Sequence, residues 1–86
     1  MTKPTRYWIE FSDPPLGNAI GLGCGISALD EAQTRHILEH QVFSKLGQLQ
    51  IKSIQIDVDI RTLNQNKVIP NMGDVTVIGV WFPQGF

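Results

Sequence analysis

The sequence predicts a single α+β domain over residues 1–86, with a four-stranded, mainly antiparallel sheet and one helix packed on one face of it. Two observations lead to this prediction. Four segments alternate apolar and polar residues with the period of a strand, and a longer segment with helix signals lies between the second and the third of them. The element order is therefore ββαββ. A chain of 86 residues can build one core of packed layers and has no room for a second domain.

The alternation places the four strands near residues 5–11, 19–26, 51–60 and 75–82. The third strand is the clearest, and its expected core face consists of Ile54, Ile56, Val58 and Ile60. Its opposite face carries Asp57 and Asp59. In the last strand the larger apolar set, Ile78, Val80 and Phe82, is expected on the core side. One face of the sheet should therefore pack on the helix, while the other stays without a second helix.

The helix is expected over about residues 28–45, with Ser27 as its N-cap and Gly47 as its end. Asp30 and Glu31 in the first turn suit the positive end of the helix dipole. The expected apolar face comprises Ala28, Leu29, Ala32, His36, Phe43 and Leu46, and Ile37 and Leu38 fall outside it.

Charge and composition exclude several classes of function. Seven Lys and Arg against eight Asp and Glu give a net charge of −1, which argues against binding driven by bulk charge, to nucleic acid or to an anionic membrane. No apolar run approaches the roughly 20 residues that cross a bilayer. The single cysteine, Cys24, cannot form an intrachain disulfide. We therefore expect a cytoplasmic protein, and no motif points to a cofactor.

Three side chains could carry chemistry. Cys24 lies shortly before the predicted helix, where the dipole can lower the pKa of a thiol, but it falls on the same side of the predicted strand as Ile20, Leu22 and Ile26, which face the core. His36 and His40 are four residues apart, so both could reach one metal ion. The segment lacks the glutamate directly after the first histidine that zinc proteases use, and no third ligand is evident. A small metal- or thiol-dependent enzyme that uses Cys24, His36 and His40 stays an alternative to a binding function.

The strongest indication of function is the sheet face turned away from the helix. The residues expected to bind a partner on that face are Trp8, Asp57, Asp59, Val77 and Trp81. Tryptophan beside acidic groups on a flat sheet is typical of protein-binding surfaces. A second interpretation stays open, in which the two tryptophans lie over the glycines of the second strand and fill the space above them.

Three segments resemble those of a group of small uncharacterised bacterial proteins: Gly23-Cys24-Gly25, Pro70-Asn71-Met72-Gly73 and Gly79-Val80-Trp81-Phe82-Pro83. Small bacterial proteins of this type include immunity partners of polymorphic or contact-dependent toxins. The resemblance is to a class and assigns no residue a role, but it implies binding rather than catalysis.

We therefore expect a non-catalytic protein-binding module, and specifically an immunity protein that occludes the active site of a bacterial toxin. Asp57 and Asp59 favour a basic partner, such as a nuclease toxin domain. The sequence leaves a homodimer open, and a membrane is not expected. A further alternative is a single-stranded nucleic-acid binder that stacks bases on Trp8 and Trp81, although the near-neutral charge argues against it.

Overall fold

The structure is a computed structural model that describes residues 3–15 and 17–84. Within them the chain forms the predicted α+β fold, with a four-stranded antiparallel sheet and a helix on one of its faces. The strands are β1 (Thr5–Phe11), β2 (Cys24–Ala28), β3 (Ile51–Ile56) and β4 (Gly79–Phe82). No helix of this described part is long and apolar enough to cross a bilayer.

The sheet has the strand order β3-β1-β2-β4, and every pair of neighbours is antiparallel. β1 lies inside the sheet, since Ile9 is opposite Cys24 of β2 on one side and opposite Ile54 of β3 on the other. The helical connection therefore leads from β2 across β1 to β3, and these two strands run in the same direction without being neighbours.

The helical stretch consists of α1 (Glu31–Ile37), a π-helical segment (Leu38–Phe43) and α2 (Ser44–Leu46). It begins later than predicted because Ser27 and Ala28 are part of β2. The N-cap is Asp30 instead, and its carboxylate accepts a hydrogen bond of 2.8 Å from a backbone N–H of the first turn. The predicted end is confirmed, since Gly47 follows α2 with a φ of 85° that favours glycine.

The first part of the helix turns a different face to the sheet from the one predicted. Its buried residues are Thr34, Ile37, Leu38 and Val42. Ala32 and His36, which were expected in the apolar face, are exposed. That face was phased on Ala28 and Leu29, which precede the helix: the first ends β2, and the second is 50% exposed. The prediction is wrong for this first part of the face, whereas Phe43 and Leu46 pack against the core as predicted.

The first core lies between the helix and the sheet. Its buried residues are Tyr7, Ile9, Phe11, Ile20, Cys24, Ile26, Ala28, Ile37, Leu38 and Val42. The predicted alternation of β1 is confirmed, because Tyr7, Ile9 and Phe11 all belong to this core and Trp8 does not. Residues 24–28 follow the same rule, with every second side chain facing the helix.

A second core covers the opposite face of the sheet, which the sequence predicts to be uncovered. Residues 57–75, which contain no strand, cover this face of the sheet. They include two short 3-10 turns, Ile60–Thr62 and Ile69–Asn71. The buried residues of this core are Trp8, Val58, Leu63, Val68, Trp81 and Phe82. Trp8 and Trp81 are 5% and 2% exposed, and their ring centroids lie 6.0 Å apart. The expectation that they stand exposed on a partner-binding face is therefore wrong.

The two tryptophans lie over glycines in and directly before β2, which confirms the second interpretation of that face. A Cβ atom at Gly23 would overlap the indole of Trp8, and one at Gly25 would overlap the indole of Trp81. Two missing side chains thus provide the space for the two largest ones.

A β-bulge in β4 breaks the alternation predicted there. Val80 is opposite Ile26 and Phe82 is opposite Gly25, so Trp81 is an extra residue between two consecutive positions of β2. Phe82 joins Trp81 in the second core instead of facing the helix. β4 also begins later than predicted, at residue 79, and Ile78 before it is 45% exposed.

The end of β3 is redirected in the same way. Asp57 has a φ of 58°, and the N–H of Val58 donates to the carbonyl of Arg6 over 3.1 Å, a pattern typical of a bulge whose first residue is left-handed. Val58 consequently turns into the second core, while Ile56 is left 60% exposed. The prediction of one continuous core face along residues 54–60 is therefore wrong.

The packing of indole on glycine predicts the effect of one added methyl group. Gly25→Ala places a Cβ inside the ring of Trp81, so the free energy of unfolding should fall by about 1–3 kcal/mol in urea denaturation. Gly21→Ala is the matched control, because its Cβ would meet Pro14 at an ordinary 3.9 Å and should change stability by less than about 0.5 kcal/mol. Equal effects of the two substitutions would contradict this packing.

Candidate binding site at one end of the sheet

The large apolar side chains that the described chain exposes share one end of the sheet, where β1 begins. They are Leu29, Ile56, Val77 and Ile78, which are 50%, 60%, 59% and 45% exposed. Ile56 ends β3, Leu29 directly follows β2, and the other two directly precede β4. Because neighbouring strands are antiparallel, all these positions lie at the start of β1. Exposed apolar side chains collected in one region indicate an interaction site, whereas scattered ones do not.

A groove of about 440 Å³ lies at the same end. Its lining residues are Lys3, Pro4, Arg6, Asp57, Val75 and Thr76. The groove therefore combines apolar walls with two basic groups and one acidic group. A volume of this order accommodates a small ligand or a few side chains of a partner.

One wall of the groove is a loop held by its own hydrogen bonds. The Asp74 carboxylate accepts bonds from the backbone N–H of Thr76 (2.8 Å) and from its hydroxyl (2.6 Å). These bonds to Thr76 lower the pKa of Asp74. The carbonyl of Val75 accepts a bond of 2.6 Å from the hydroxyl of Ser27, which is buried in β2. The loop is thereby fixed to the sheet.

Asp57 and Arg6 also line the groove. Their closest charged atoms, Oδ1 and Nη2, are 4.0 Å apart, and the side chains are 80% and 37% exposed. An ion pair this long and this exposed contributes little to stability. The backbone at Asp57 is left-handed, with a φ of 58°, a conformation that aspartate adopts more readily than most residues other than glycine.

Asp59 does not form a carboxylate pair with Asp57. The chain leaves the strand after Ile56, and Asp59 caps the following turn. Its two carboxylate oxygens accept bonds of 3.1 and 2.9 Å from Nε and Nη2 of Arg61. These bonds from Arg61 lower the pKa of Asp59. The prediction that Asp57 and Asp59 share one face of a strand is wrong.

Of the five residues predicted to bind a partner, two are at this end of the sheet with side chains that are exposed and not held by a close ion pair, Asp57 and Val77. The two tryptophans are buried in the second core, and the carboxylate of Asp59 forms an ion pair with Arg61. The sequence did not predict the loop that lines the groove, because residues 75–78 alternate like a strand. The spacing of Asp74 and Thr76, typical of a side chain that closes a turn on its own backbone, could have separated the loop from β4.

The residues considered for catalysis do not come together. Cys24 is fully buried, and burial raises the pKa of its thiol to about 12, so the thiol is protonated and inert at neutral pH. His36 and His40 lie on the exposed side of the helix. Within residues 3–15 and 17–84, no three His, Cys, Asp or Glu side chains are grouped so as to hold a metal ion.

Comparisons with protein-family models, with curated proteins and with solved structures found no match for this chain. The function must therefore be inferred from the chemistry of its own residues.

The backbone at position 57 gives a test of the site's geometry. Asp57→Gly and Asp57→Val remove the same carboxylate, so the loss of the ion pair with Arg6 does not contribute to the difference in stability between them. The valine variant should be less stable by about 1–2 kcal/mol, because a β-branched residue is strained at a φ of 58°. Thermal and urea unfolding measure this difference. Equal stability of the two variants would contradict the left-handed turn that shapes the groove.

Proposed function

We propose that this chain is a non-catalytic protein-binding module that contacts its partner through the end of the sheet where β1 begins. One observation carries the proposal: among the described residues, the large apolar side chains left exposed are Leu29, Ile56, Val77 and Ile78, and all four lie at the end of the sheet to which the groove also belongs. The rest of the apolar surface of the sheet is covered, by the helix on one face and by residues 57–75 on the other.

The charges at the groove indicate what the partner contributes. Lys3 and Arg6 line it together with a single acidic residue, Asp57. Asp59, which the sequence suggested as a second acidic contact, is engaged by Arg61 at 2.9 Å. The groove therefore favours an acidic group of the partner over the basic one first expected. A partner that presents apolar side chains around a carboxylate complements this end.

Two alternatives find less support in the packing of the described residues. Stacking of single-stranded nucleic acid requires exposed aromatic rings, but Trp8 and Trp81 are buried against each other. A thiol-dependent enzyme requires a reactive thiolate, and burial keeps the Cys24 thiol protonated. A lone reduced cysteine also fits the cytoplasmic location that forms part of this proposal.

Neutralisation of a toxin by occlusion is the specific form of this function that the resemblance to small bacterial proteins implies. An inhibitor that acts by occlusion needs a rigid surface and no reactive group. Such rigidity is favoured by the hydrogen bonds between Asp74 and Thr76 within the loop that lines the groove, and by the bond from Ser27 to the carbonyl of Val75.

The test uses the full chain as bait in an extract of the source cells, with affinity for any captured protein then measured in purified form. Val77→Asp buries an unpaired charge in the proposed interface, so affinity should fall at least about tenfold. Since Val77 is 59% exposed, the melting temperature should hardly change. If the captured protein arrests growth when expressed alone, the wild-type chain should restore growth and the variant should not.

Gln48→Asp is the matched control. It adds the same charge at an exposed position shortly before Ile51, which is opposite Phe11 at the far end of β1, and it should leave affinity unchanged. Equal affinity of the wild type and Val77→Asp would contradict the proposed surface. A homodimer that Val77→Asp dissociates in sedimentation equilibrium would also contradict it, because the partner would then be a second copy of this chain.

A further inference from the structure

Two histidines lie side by side on the solvent side of the helix. His36 is in the last turn of α1, and His40 is in the π-helical segment that follows. Their ring centroids are 4.2 Å apart with an angle of 45° between the ring planes, and both residues are exposed. Residues four apart on a helix project from the same side, so this proximity follows from the sequence spacing.

The imidazole ring is the preferred protein ligand of several divalent transition metals. In a tetrahedral site with metal–nitrogen distances of about 2.0–2.1 Å, two ligating nitrogens lie about 3.4 Å apart. Rings with centroids 4.2 Å apart reach that separation through small side-chain rotations, which exposure permits. Zinc-protease helices use the same spacing of two histidines to hold their metal.

We propose that His36 and His40 bind one divalent transition-metal ion of the Zn²⁺, Ni²⁺ or Cu²⁺ class, as a two-histidine chelate completed by water. The neighbouring charges favour it: Arg35 is paired with Glu31 at 3.3 Å, and Glu39 adds a negative charge beside His40. The residue directly after His36 is Ile37, which is buried, so the general base of a zinc protease is missing. The site therefore lacks the catalytic glutamate of the zinc-protease motif.

The ion would join the α-helical and π-helical parts of the chain. α1 ends at Ile37 and the π-helical segment begins at Leu38, so the chelate spans the junction of two helical geometries. The unfolded chain does not hold the two rings together. Binding is therefore coupled to the folded helix, and the metal should stabilise the protein.

The experiment titrates ZnCl₂ and, separately, NiCl₂ into the full chain without a polyhistidine tag, by calorimetry and then by thermal unfolding. We expect saturable binding of one ion per chain by at least one of the two metals. At ten times the measured Kd, the ratio of folded to unfolded protein should rise about elevenfold. For a domain of this size that is an increase in Tm of about 6–11 °C.

His40→Gln should abolish both effects. The matched control, His40→Gln combined with Gln48→His, keeps two histidines in the chain but separates them, since Gln48 lies beyond the helix end and is exposed. Its metal affinity should be at least tenfold weaker than that of the wild type. The proposal is overturned if neither metal binds the wild type saturably, or if the control binds as tightly and gains as much in Tm.

Discussion

The stacking of two indoles on two glycines is the interaction on which the rest of this small fold depends. Trp8 and Trp81 occupy the space that Gly23 and Gly25 leave free. An aromatic side chain that buries 150–250 Å² contributes about 4–6 kcal/mol at 25 cal/mol per Å². The indole N–H of Trp81 is buried without a hydrogen-bond partner among the described residues, which costs about 1–3 kcal/mol. The gain in free energy from packing exceeds that cost. The two indoles thus provide the apolar surface against which residues 57–75 pack.

Under the proposed function, the second core also determines where the partner binds. Because both faces of the sheet are covered, the large apolar side chains that remain exposed among the described residues are those at the strand ends. Two bulges produce this arrangement. Because of the bulge at Trp81, the side chains of Trp81 and Phe82 both lie in the second core. Because of the bulge at Asp57, Val58 also lies in the second core, whereas Ile56 is exposed. The same left-handed turn that closes the second core thus places a carboxylate at the groove.

Sequence patterns were sufficient wherever local periodicity and tertiary packing agree. The faces of β1, the end of the helix at Gly47 and the overall ββαββ order follow from alternation and turn chemistry. Residues 57–60 were assigned to the third strand from their alternation, and residues 61–74 carry no regular period; both stretches are instead ordered by contacts with distant tryptophans. A bulge shifts the register by one residue, so every later side chain of the strand faces the opposite side of the sheet. The residues around Trp81 contain no sequence signal that predicts this bulge. Alternate glycines in the second predicted strand were the available signal for an aromatic layer above them.

The accessibility of the two tryptophans tests this account most directly. Fluorescence of the native chain, which contains Trp8 and Trp81 and no other tryptophan, should be blue-shifted relative to the chain in urea. Iodide should quench it much less in the native than in the unfolded state, because both rings are at least 95% buried. Native emission at the wavelength of the unfolded chain, with equal quenching in the two states, would contradict the second core and the binding site inferred from it.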